Sequence, residues 1–436
     1  MTPASTLASE HASPDGDRGP RHPLDVARVR ADFAFVGAGD RVYLDSGATS
    51  QRPSAVLDAE RSFVETSYAA VHRGSSEATG SATAAFEDAR DDVARFVGAR
   101  PEQIVFTENA TDALNVVALG LSDASLGLGA PELALRPGDE ILLTEAEHHA
   151  NLIPWQRLAL RTGAVLRWAG VDDDGLWGID DLAAASGPRT RLIAFGHVSN
   201  VTGALAPVDD VVDLARTLGA ITVLDACQSV PHRPVDFGAL GVDLAAFSGH
   251  KMLGPTGIGV LYGRSEILDA LPPARTGGST ITTVTMDAAE FLPAPQRFEA
   301  GTQPVSQAVG LGAAVRYLEG LGMDEVLAHE DELAAQLVEA VTRVPGVRLF
   351  GPRPGADRAA IVSFTVDGVH AHDVGQFLDD RGITLRTGHH CAQPLHRRLG
   401  VAATTRASGY VYTTSEEVER LGSALAEVRA FFGADR

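Results

Sequence analysis

One lysine of this sequence lies where its amine can react covalently. Lys251 comes after the apolar run Leu244–Phe247, beside Ser248 and His250, and a glycine-rich segment that ends at Gly257 follows it. An amine at the end of a buried strand is partly desolvated, and such an amine can form a Schiff base with an aldehyde. The alternative is a solvated surface lysine, which is the usual situation for this residue type.

Other polar residues follow the remaining predicted strands, each close to the last apolar position. In a mostly parallel sheet the carboxyl ends of the strands meet along one edge, and ligands bind there. The residues in these places are Glu108, Asn109 and Thr111; His148, His149 and Asn151; His197, Ser199 and Asn200; Asp225 and Gln228; and Ser248, His250 and Lys251. We therefore expect them to form one constellation.

The residue types of this constellation match what pyridoxal phosphate (PLP) requires. A carboxylate such as Asp225 can pair with the pyridinium nitrogen, an imidazole such as His148 can stack on the ring, and a lysine can hold the aldehyde. Free N–H groups and a hydroxyl at the helix start around Thr111 suit a phosphate. Each residue also has an ordinary explanation: Thr111 as a simple N-cap, His148 as a core histidine, and Asp225 as a turn residue.

Strands and helices alternate through most of the chain and must position these residues. Short β-branched strands with helices between them predict an α/β fold in which helices cover both faces of a mostly parallel sheet. The predicted strands are Arg41–Leu44, Ile104–Thr107, Glu140–Thr144, Ala164–Trp168, Arg191–Phe195, Ala220–Leu224 and Asp243–Phe247. Beyond Phe298 the pattern changes and predicts a smaller α+β domain.

The sequence divides into four parts. Residues 1–23 hold a single leucine among Pro, Ser, Gly, Asp and Arg, too little apolar surface to order a segment, and they predict a disordered tail. Residues 24–40 are an N-terminal segment that we expect to pack with the small domain. Residues 41–305 form the large PLP-binding domain, and residues 306–436 form the small C-terminal domain.

Composition excludes several classes of function. Asp and Glu number 57 against 36 Lys and Arg, and the formal net charge of -21 disfavours nucleic acid and anionic membrane surfaces. No apolar run has the length of a membrane span and no signal-peptide pattern opens the chain, so we expect a cytoplasmic protein. The two cysteines, Cys227 and Cys391, are too few for a disulfide framework.

Eight runs of the sequence together resemble the SufS-type (group II) cysteine desulfurases of the class V aminotransferase family. These runs are Arg41–Thr49, Ala70–Gly74, Glu147–Asn151, His197–Asn200, Asp225–Gln228, Ser248–Lys251, Arg297–Thr302 and Arg386–Cys391. The resemblance covers residues 24–432. It implies the PLP-dependent transferase fold type I, with a mostly parallel seven-stranded sheet in the large domain, and a homodimer with the active site at the subunit interface.

The resemblance also assigns roles within this sequence. The catalytic residues it implies are Lys251, His148 and Cys391. The cofactor contacts it implies are Thr111, His148, Asp225, Gln228, Ser248, His250 and Lys251, with Thr302 supplied by the partner subunit. The substrate carboxylate is expected to contact Asn200, Arg386 and Arg406.

Cys391 is the nucleophile that the resemblance implies. Its thiolate attacks the sulfur of L-cysteine, so that a persulfide forms on Cys391, L-alanine is released, and the sulfur passes to Fe–S cluster assembly or a related sulfur-transfer pathway. The nearby Arg386, His389 and His390 favour a lowered thiol pKa if they are also neighbours in space. Cys227 is interpreted as a small buried residue beside the sheet.

Two hypotheses concern histidines of the small domain. The run His389–Cys391 and His396 contain acceptable zinc ligands, but successive side chains of an extended backbone point apart, so we expect no metal site. His372 matches a histidine that takes part in zinc ligand exchange in family members served by the zinc-containing SufU protein, and it predicts a SufU-like sulfur acceptor. The alternative is that His372 merely caps the helix from Asp373.

Two other functions stay open at this point. One is a PLP enzyme without persulfide chemistry, such as a C–S lyase or a selenocysteine lyase. The other belongs to a different class: an inactive scaffold on which sulfur-transfer proteins dock. The presence of Lys251, Asp225, His148, Cys391 and Arg406 argues against the scaffold.

Overall fold

The structure, a computed structural model, describes residues 24–37, 40–72 and 74–434. The segment predicted to be a tail, residues 1–23, lies outside the described residues, and so does Arg73 of the run Ala70–Gly74. The described chain begins with two short helices, α1 (Val26–Ala31) and α2 (Ala34–Gly37).

The predicted large domain, residues 41–305, consists of alternating helices and strands. Its helices are α3 (Ser54–Thr66), α4 (Glu77–Phe96), α5 (Ala110–Ser125), α6 (Ile153–Thr162), α7 (Ile179–Ala185), α8 (Val208–Leu218), α9 (Phe237–Leu240) and α10 (Ser265–Ala270). Its strands are β1 (Val42–Tyr43), β2 (Ile104–Thr107), β3 (Glu140–Thr144), β4 (Val165–Ala169), β5 (Thr190–Gly196), β6 (Ile221–Asp225), β7 (Leu244–Ser248), β8 (Gly259–Gly263), β9 (Ile281–Val284) and β10 (Ala289–Phe291). Short 3₁₀ turns span Pro101–Gln103, Pro131–Leu133, His149–Asn151, Gly249–Lys251 and Gln296–Phe298.

Seven strands form the central sheet, in the order β2-β8-β7-β6-β5-β3-β4. β8 is antiparallel to both of its neighbours, β2 and β7, and the other four pairings are parallel. Parallel neighbours need a crossover connection, which the intervening helices provide, whereas β8 returns directly alongside β7. The predicted α/β fold with a mostly parallel seven-stranded sheet is confirmed.

Helices cover this sheet on both faces because the strand residues alternate between two apolar clusters. Along β2, Ile104 and Phe106 belong to the cluster that contains residues of α3, α4 and α8, and Val105 belongs to the cluster that contains residues of α5, α6 and α10. Successive side chains of a strand point to opposite faces, so an uninterrupted apolar strand buries both.

The C-terminal part of the chain contains a second sheet. Its helices are α11 (Val305–Leu321), α12 (Met323–Thr342), α13 (Ala371–Asp379), α14 (Gln393–Arg398) and α15 (Ser415–Phe431). Its strands are β11 (Val347–Phe350), β12 (Ile361–Val366), β13 (Ile383–Thr384), β14 (Arg386–Gly388) and β15 (Thr404–Ser408). The four-stranded antiparallel sheet β11-β12-β15-β14 shares an apolar cluster with α12, α13 and α15.

Contacts between whole elements join the parts of the chain on either side of residue 305. α11 packs against α3 and α4, where Gly310 approaches Glu60 and Gly312 approaches Ala89. β1, which was predicted as a strand, lies outside the central sheet and pairs in parallel with β13. The predicted domain bounds stay predictions. α11, which begins at residue 305, packs against helices of the predicted large domain.

Among the described residues, no helix is both long enough and apolar enough to cross a membrane.

Candidate active site

A cavity of about 730 Å³ opens at the carboxyl ends of the central strands. It collects most of the residues that the sequence pointed to. The predicted site residues that line it are Thr111, His148, Asn200, Asp225, Gln228, Ser248, His250, Lys251, Arg386, Cys391 and Arg406. Thr302 and His372 do not line this cavity.

Lys251 lies at the end of a 3₁₀ turn that follows the last residue of β7, Ser248. The turn is held from the N-terminal side of the chain, because Ser50 Oγ accepts a hydrogen bond of 2.8 Å from the N–H of Leu253. Leu253 is fully buried and has a φ of 64°, a strained left-handed conformation for a branched residue. Lys251 Nζ forms no hydrogen bond or ion pair with the described residues, so its amine is free to bind a cofactor.

Asp225 is the last residue of β6 and reaches the cavity with its side chain. Its Oδ1 accepts a hydrogen bond of 3.0 Å from the N–H of Cys227, so the carboxylate also stabilises the turn after the strand. Cys227 itself is buried, and burial raises the pKa of its thiol far above the usual range. The interpretation of Cys227 as a small buried residue is confirmed.

His148 lies half-buried at the cavity wall rather than in the core. Its Nδ1 accepts a hydrogen bond of 3.0 Å from the N–H of Ala150. Burial lowers the pKa of His148 to about 4, opposed by Asp225 and reinforced by Lys251. Because a backbone N–H can only donate, Nδ1 is the acceptor and the proton of the neutral ring resides on Nε2. The ring therefore presents an Nε2–H donor.

The start of α5 is shaped to receive an anion. Asn109 is the N-cap, and its Oδ1 accepts a hydrogen bond of 2.9 Å from the N–H of Asp112, so the interpretation of Thr111 as a simple N-cap is wrong. Ser248 Oγ accepts a hydrogen bond of 2.9 Å from the N–H of Ala110 and keeps its own proton to donate. Thr111 is exposed in the first turn, and its N–H has no acceptor among the described residues.

Two arginines of the small domain are joined by an acidic residue. Asp45 accepts from Arg386, with Nη2 at 3.1 Å, and from Arg406, with Nη2 at 3.3 Å. Arg406 is only 2% exposed and also donates from Nη1 to the carbonyl of Asn200 at 2.9 Å. Burial lowers the pKa of Arg406, which Asp45 opposes. The sequence interpretation missed Asp45, although it directly follows a predicted strand as the other site residues do.

Cys391 lies on a tight loop between β14 and α14, where it is exposed and also lines the cavity. His390 and Cys391 have φ values of 48° and 56°, both in the left-handed region that non-glycine residues rarely adopt. The loop is held by His149, whose N–H donates to the carbonyl of Cys391 at 2.6 Å, and by Asn200, whose Nδ2 donates to the carbonyl of His390 at 2.6 Å.

The expected electrostatic support for Cys391 is only partly present. Burial lowers the pKa of His390 to about 2, and its Nε2 pairs with Thr404 Oγ1 at 2.9 Å. His390 is therefore neutral and supplies no positive charge to the thiol, so that part of the expectation is wrong. Arg386 lines the same cavity, although its charge is shared with Asp45.

Thr302 and His372 lie elsewhere on the surface. Thr302 is exposed beside Gly301, whose N–H donates to the carbonyl of Gly278 at 2.9 Å. His372 is exposed in the first turn of α13 and pairs through Nδ1 with Thr387 Oγ1 at 3.2 Å. The N-cap of α13 is His370, so the interpretation of His372 as the helix cap is wrong.

Metal ligation was tested over the described ranges. No three His, Cys, Asp or Glu side chains in residues 24–37, 40–72 and 74–434 converge as metal ligands. His390 and His396 both direct Nε2 toward Thr404 Oγ1, at 2.9 and 3.0 Å.

The residues of the cavity fit PLP. Gln228 Oε1 is buried and has no hydrogen-bond partner among the described residues, although its Nε2 donates to the carbonyl of Gly47 at 2.7 Å. The unpaired Lys251 amine, the Asp225 carboxylate and the free N–H at Thr111 are the groups needed for an aldehyde, a pyridine nitrogen and a phosphate. The fold and the cavity together define a PLP-dependent enzyme of fold type I.

Comparisons with known proteins agree with this class. The Aminotransferase class-V family model matches residues 42–421, and the chain belongs to this family. The chain is 55% identical to the probable cysteine desulfurase 2 of Mycobacterium leprae (strain TN), over 95% of this chain and 99% of that protein.

Solved structures give the same result. The apo structure of the cysteine desulfurase from Thermococcus onnurineus NA1 has a TM-score of 0.87 and 39% identity, covering 94% of this chain and 98% of that one. A C-DES variant with glycine covalently linked to its PLP cofactor has a TM-score of 0.76 and 26% identity, over 91% and 99% of the chains. The expectation of a PLP-dependent cysteine desulfurase is confirmed.

Proposed function

We propose that this protein takes sulfur from L-cysteine as a persulfide on Cys391 and donates it to Fe–S cluster assembly or a related sulfur-transfer pathway. The observation that carries this proposal is the position of Cys391. Cys391 lines the cavity that contains Lys251, and the residue is also exposed to solvent. A cysteine in this position can receive sulfur from the cavity and present it to an acceptor. The receiving pathway rests on the resemblance to SufS-type enzymes.

Arg406, Asn200 and Arg386 are proposed to hold the substrate carboxylate. Arg406 Nε is buried without a hydrogen-bond partner among the described residues, so the guanidinium has a donor to spare. Asp45 holds both arginines at fixed distances, so two positive charges are present at the cavity before the substrate enters. Preset charges of this kind orient a ligand without a reorganisation cost at binding.

Lys251, Asp225 and His148 are proposed to serve the proton transfers. When bound, PLP supplies an electron sink for the α-carbon of the amino acid. The Lys251 amine is the base that receives the α-proton, and the Asp225 carboxylate keeps the pyridine nitrogen protonated. His148 offers the proton on Nε2 because its Nδ1 is occupied by the N–H of Ala150. Thr111, Ser248, His250 and Gln228 are proposed to complete the binding of the cofactor.

Cys391 is proposed to perform the sulfur step. Its thiolate forms an S–S bond with the substrate sulfur, the Cβ–S bond breaks, and the electron pair of that bond stays with the carbon skeleton. The skeleton takes up the proton that the thiol loses and leaves as L-alanine. L-Cysteine and one thiol are thus converted to L-alanine and one persulfide, with no external oxidant or reductant.

A homodimer is proposed to complete the phosphate site with Thr302 of the second subunit. The segment that carries Thr302 is bonded to the base of the β9–β10 hairpin through Gly301 and Gly278. That hairpin exposes apolar side chains, with Val284 at 59% and Met286 at 99% exposure. Exposed apolar residues next to Thr302 support a subunit contact at this face.

A SufU-like protein is proposed as the sulfur acceptor, in the cytoplasm. His372 is exposed and pairs with Thr387, a residue of β14, the strand that leads into the Cys391 loop. An acceptor that contacts His372 therefore docks on the side of the domain that carries the persulfide.

The test of the proposed function compares Cys391→Ala with Cys227→Ala. L-Cysteine is added, alanine is quantified, and the persulfide is located by mass spectrometry after alkylation. We expect the wild type and Cys227→Ala to form alanine and a persulfide on Cys391, and Cys391→Ala to form neither. Pyruvate, ammonia and free sulfide formed from L-cysteine by Cys391→Ala would show a C–S lyase instead.

The acceptor is tested by the same assay with a SufU-type protein added. We expect the acceptor to increase alanine formation several-fold with the wild type and much less with His372→Ala. His370→Ala is the control, since His370 is the adjacent exposed histidine and caps the same helix. Equal stimulation of all three proteins would contradict the role of His372.

A further inference from the structure

Glu147 is a buried carboxyl group that the proposed chemistry does not use. It is 5% exposed and lies at the cavity between the end of β3 and the half-buried His148. Thr144 Oγ1 donates to Glu147 Oε1 at 2.6 Å, and Asn151 Nδ2 donates to Glu147 Oε2 at 2.6 Å. Both oxygens of the carboxyl group are therefore engaged by fixed partners.

The two donors to Glu147 come from different elements. Thr144 ends β3, and Asn151 ends the 3₁₀ turn that follows His148. Asn151 is fully buried and is itself fixed, because Trp155 Nε1 donates to its Oδ1 at 3.0 Å and Trp155 is fully buried. The carboxyl group thus connects the end of β3 with the turn that carries His148.

The turn between Glu147 and Asn151 determines what His148 can do. The N–H of Ala150, in the same turn, donates to His148 Nδ1 and so fixes the proton on Nε2. A shift of the turn breaks this hydrogen bond, and the neutral ring can then place its proton on either nitrogen. The orientation of His148 therefore depends indirectly on Glu147: Glu147 binds Asn151 at the end of the turn, and Ala150 of the same turn binds the His148 ring.

Burial and the charge of Asp225 make this position costly for a carboxyl group. Burial raises the pKa of Glu147 to about 7, the Thr144 and Asn151 donors oppose this, and the charge of Asp225 adds to it. An aliphatic side chain would avoid the cost of burying a carboxyl group. The presence of the Glu147 carboxyl group beside Asp225 and His148 is explained if its hydrogen bonds to Thr144 and Asn151 position a residue of the active site.

We propose that Glu147 is a positioning residue, which fixes the turn Glu147–Asn151 so that His148 presents a protonated Nε2 to the reacting amino acid. This inference rests on the proposed function for the identity of the reaction. The geometric part, the dependence of the His148 tautomer on Glu147, stands independently of which amino acid is the substrate.

The experiment uses the PLP-loaded protein and the variant Glu147→Gln. The amide keeps the size of the carboxyl group but has one acceptor oxygen instead of two. With its NH₂ facing Thr144 Oγ1, which already accepts from the N–H of Ala146, the Thr144 hydroxyl loses the acceptor for its own proton. We expect kcat for alanine formation to fall by about 10- to 100-fold, since a misplaced catalytic group costs this order of rate, while KM for L-cysteine changes little.

A readout besides activity is the tautomer of His148. Histidine-selective ¹⁵N labelling and long-range ¹H–¹⁵N spectra separate an acceptor nitrogen from a protonated one, and His148→Ala assigns the signals. We expect a fixed Nε2–H tautomer in the wild type and a mixture in Glu147→Gln. Glu145→Gln is the matched control, because Glu145 precedes the same turn and does not contact the Glu147 hydrogen bonds.

The outcomes separate this inference from the proposed function. A wild-type kcat and an unchanged His148 signal in Glu147→Gln, or equal losses in Glu145→Gln, would overturn the positioning role. If Glu147→Gln does not fold, Thr144→Val removes one donor and leaves the carboxyl group, and its His148 spectrum decides in the same way. If the wild type forms no alanine from L-cysteine, the proposed function fails, and the His148 spectra still test the positioning.

Discussion

At the residue scale, the site combines side chains whose charge is fixed by burial. His148 and His250 are both neutral, because burial lowers the pKa of each to about 4. Arg406 and Asp45 form the opposite case, a buried cation held by a carboxylate. The cavity thus separates positive charge at the expected carboxylate site from neutral imidazoles near the expected cofactor.

The neutral state of His148 predicts the pH dependence of the site. A histidine with its pKa lowered to about 4 gains a proton only below that pH, so His148 stays neutral from pH 6 to pH 8. We expect no change of His148 ¹⁵N signals in this range and no limb of the kcat profile from its protonation. Titration of the assigned His148 signal near pH 6.5, the usual value, would contradict this.

Sequence patterns located most of these residues because each follows the end of a strand. Lys251, Asp225 and His148 were predicted in this way, and the cavity brings them together. Partners far along the chain were not predictable. The side-chain amide of Asn200 donates a hydrogen bond to the carbonyl of His390, which is 190 positions further along the chain. No local sequence pattern predicts this contact.

At the scale of elements, β8 and α5 form the anion-binding corner together. Gly259, the first residue of β8, lies directly against the N-cap of α5: a Cβ added there would lie 2.4 Å from Asn109 Cα. The absence of a side chain therefore sets how closely the strand approaches the helix start. β8 was not predicted from the sequence. It is a five-residue strand with Gly259 and Gly263 at its ends, and glycines in these positions are typical of a turn.

Gly259→Ala tests this close approach. The added methyl group must displace the backbone of Asn109, so we expect the free energy of unfolding to fall by about 1–3 kcal/mol and PLP to bind more weakly. Urea unfolding and titration of the apoprotein with PLP measure the two effects. Gly80→Ala is the control: this exposed glycine of α4 has nothing within 4 Å of an added Cβ and is expected to gain up to about 1 kcal/mol. Wild-type values for Gly259→Ala would contradict the role of the approach.

At the scale of the whole molecule, a buried ion pair joins distant segments. Arg90 of α4 and Glu299 are 1% and 3% exposed at their side chains and form a two-point contact at 2.7 and 2.9 Å. Arg90 also donates to the carbonyl of Ile104, and Glu299 accepts from the N–H of Phe106, both in β2. The pair therefore fixes the segment before Thr302 against the strand that leads into α5.

Glu299→Gln is expected to be strongly destabilising. Loss of the carboxylate removes the two-point partner of the buried Arg90 and leaves the partly exposed Glu87, 2.8 Å from Arg90 Nε, as its remaining carboxylate, so we expect a cost of up to about 3–5 kcal/mol. Glu319→Gln, which breaks the pair with the 55% exposed Arg95, is the matched control and is expected to cost less than about 1 kcal/mol. Denaturant midpoints compare the two variants. A similarly small loss of unfolding free energy in both variants would show that burial of the Arg90–Glu299 pair does not increase its contribution to stability.

The sequence did not predict this pair, although it predicted both segments. Arg90 and Glu299 are 209 positions apart, and each has the surroundings of an ordinary surface residue in the sequence. The α/β alternation of the large domain was predictable because its period is local. The small sheet was only partly predictable, because β15 consists largely of small polar residues that are fully buried by their tertiary contacts.

The pairing of β1 with β13 has a consequence for how the chain is made. Val42 and Tyr43 find their partners, Ile383 and Thr384, only after most of the chain has left the ribosome. The ion pair between Arg30 of α1 and Glu417 forms later still, because Glu417 is 387 positions further along the chain. These contacts of the N-terminal segment with the C-terminal part of the protein can therefore form only as late steps, after most of the chain has been synthesised. Such late, long-range contacts slow folding.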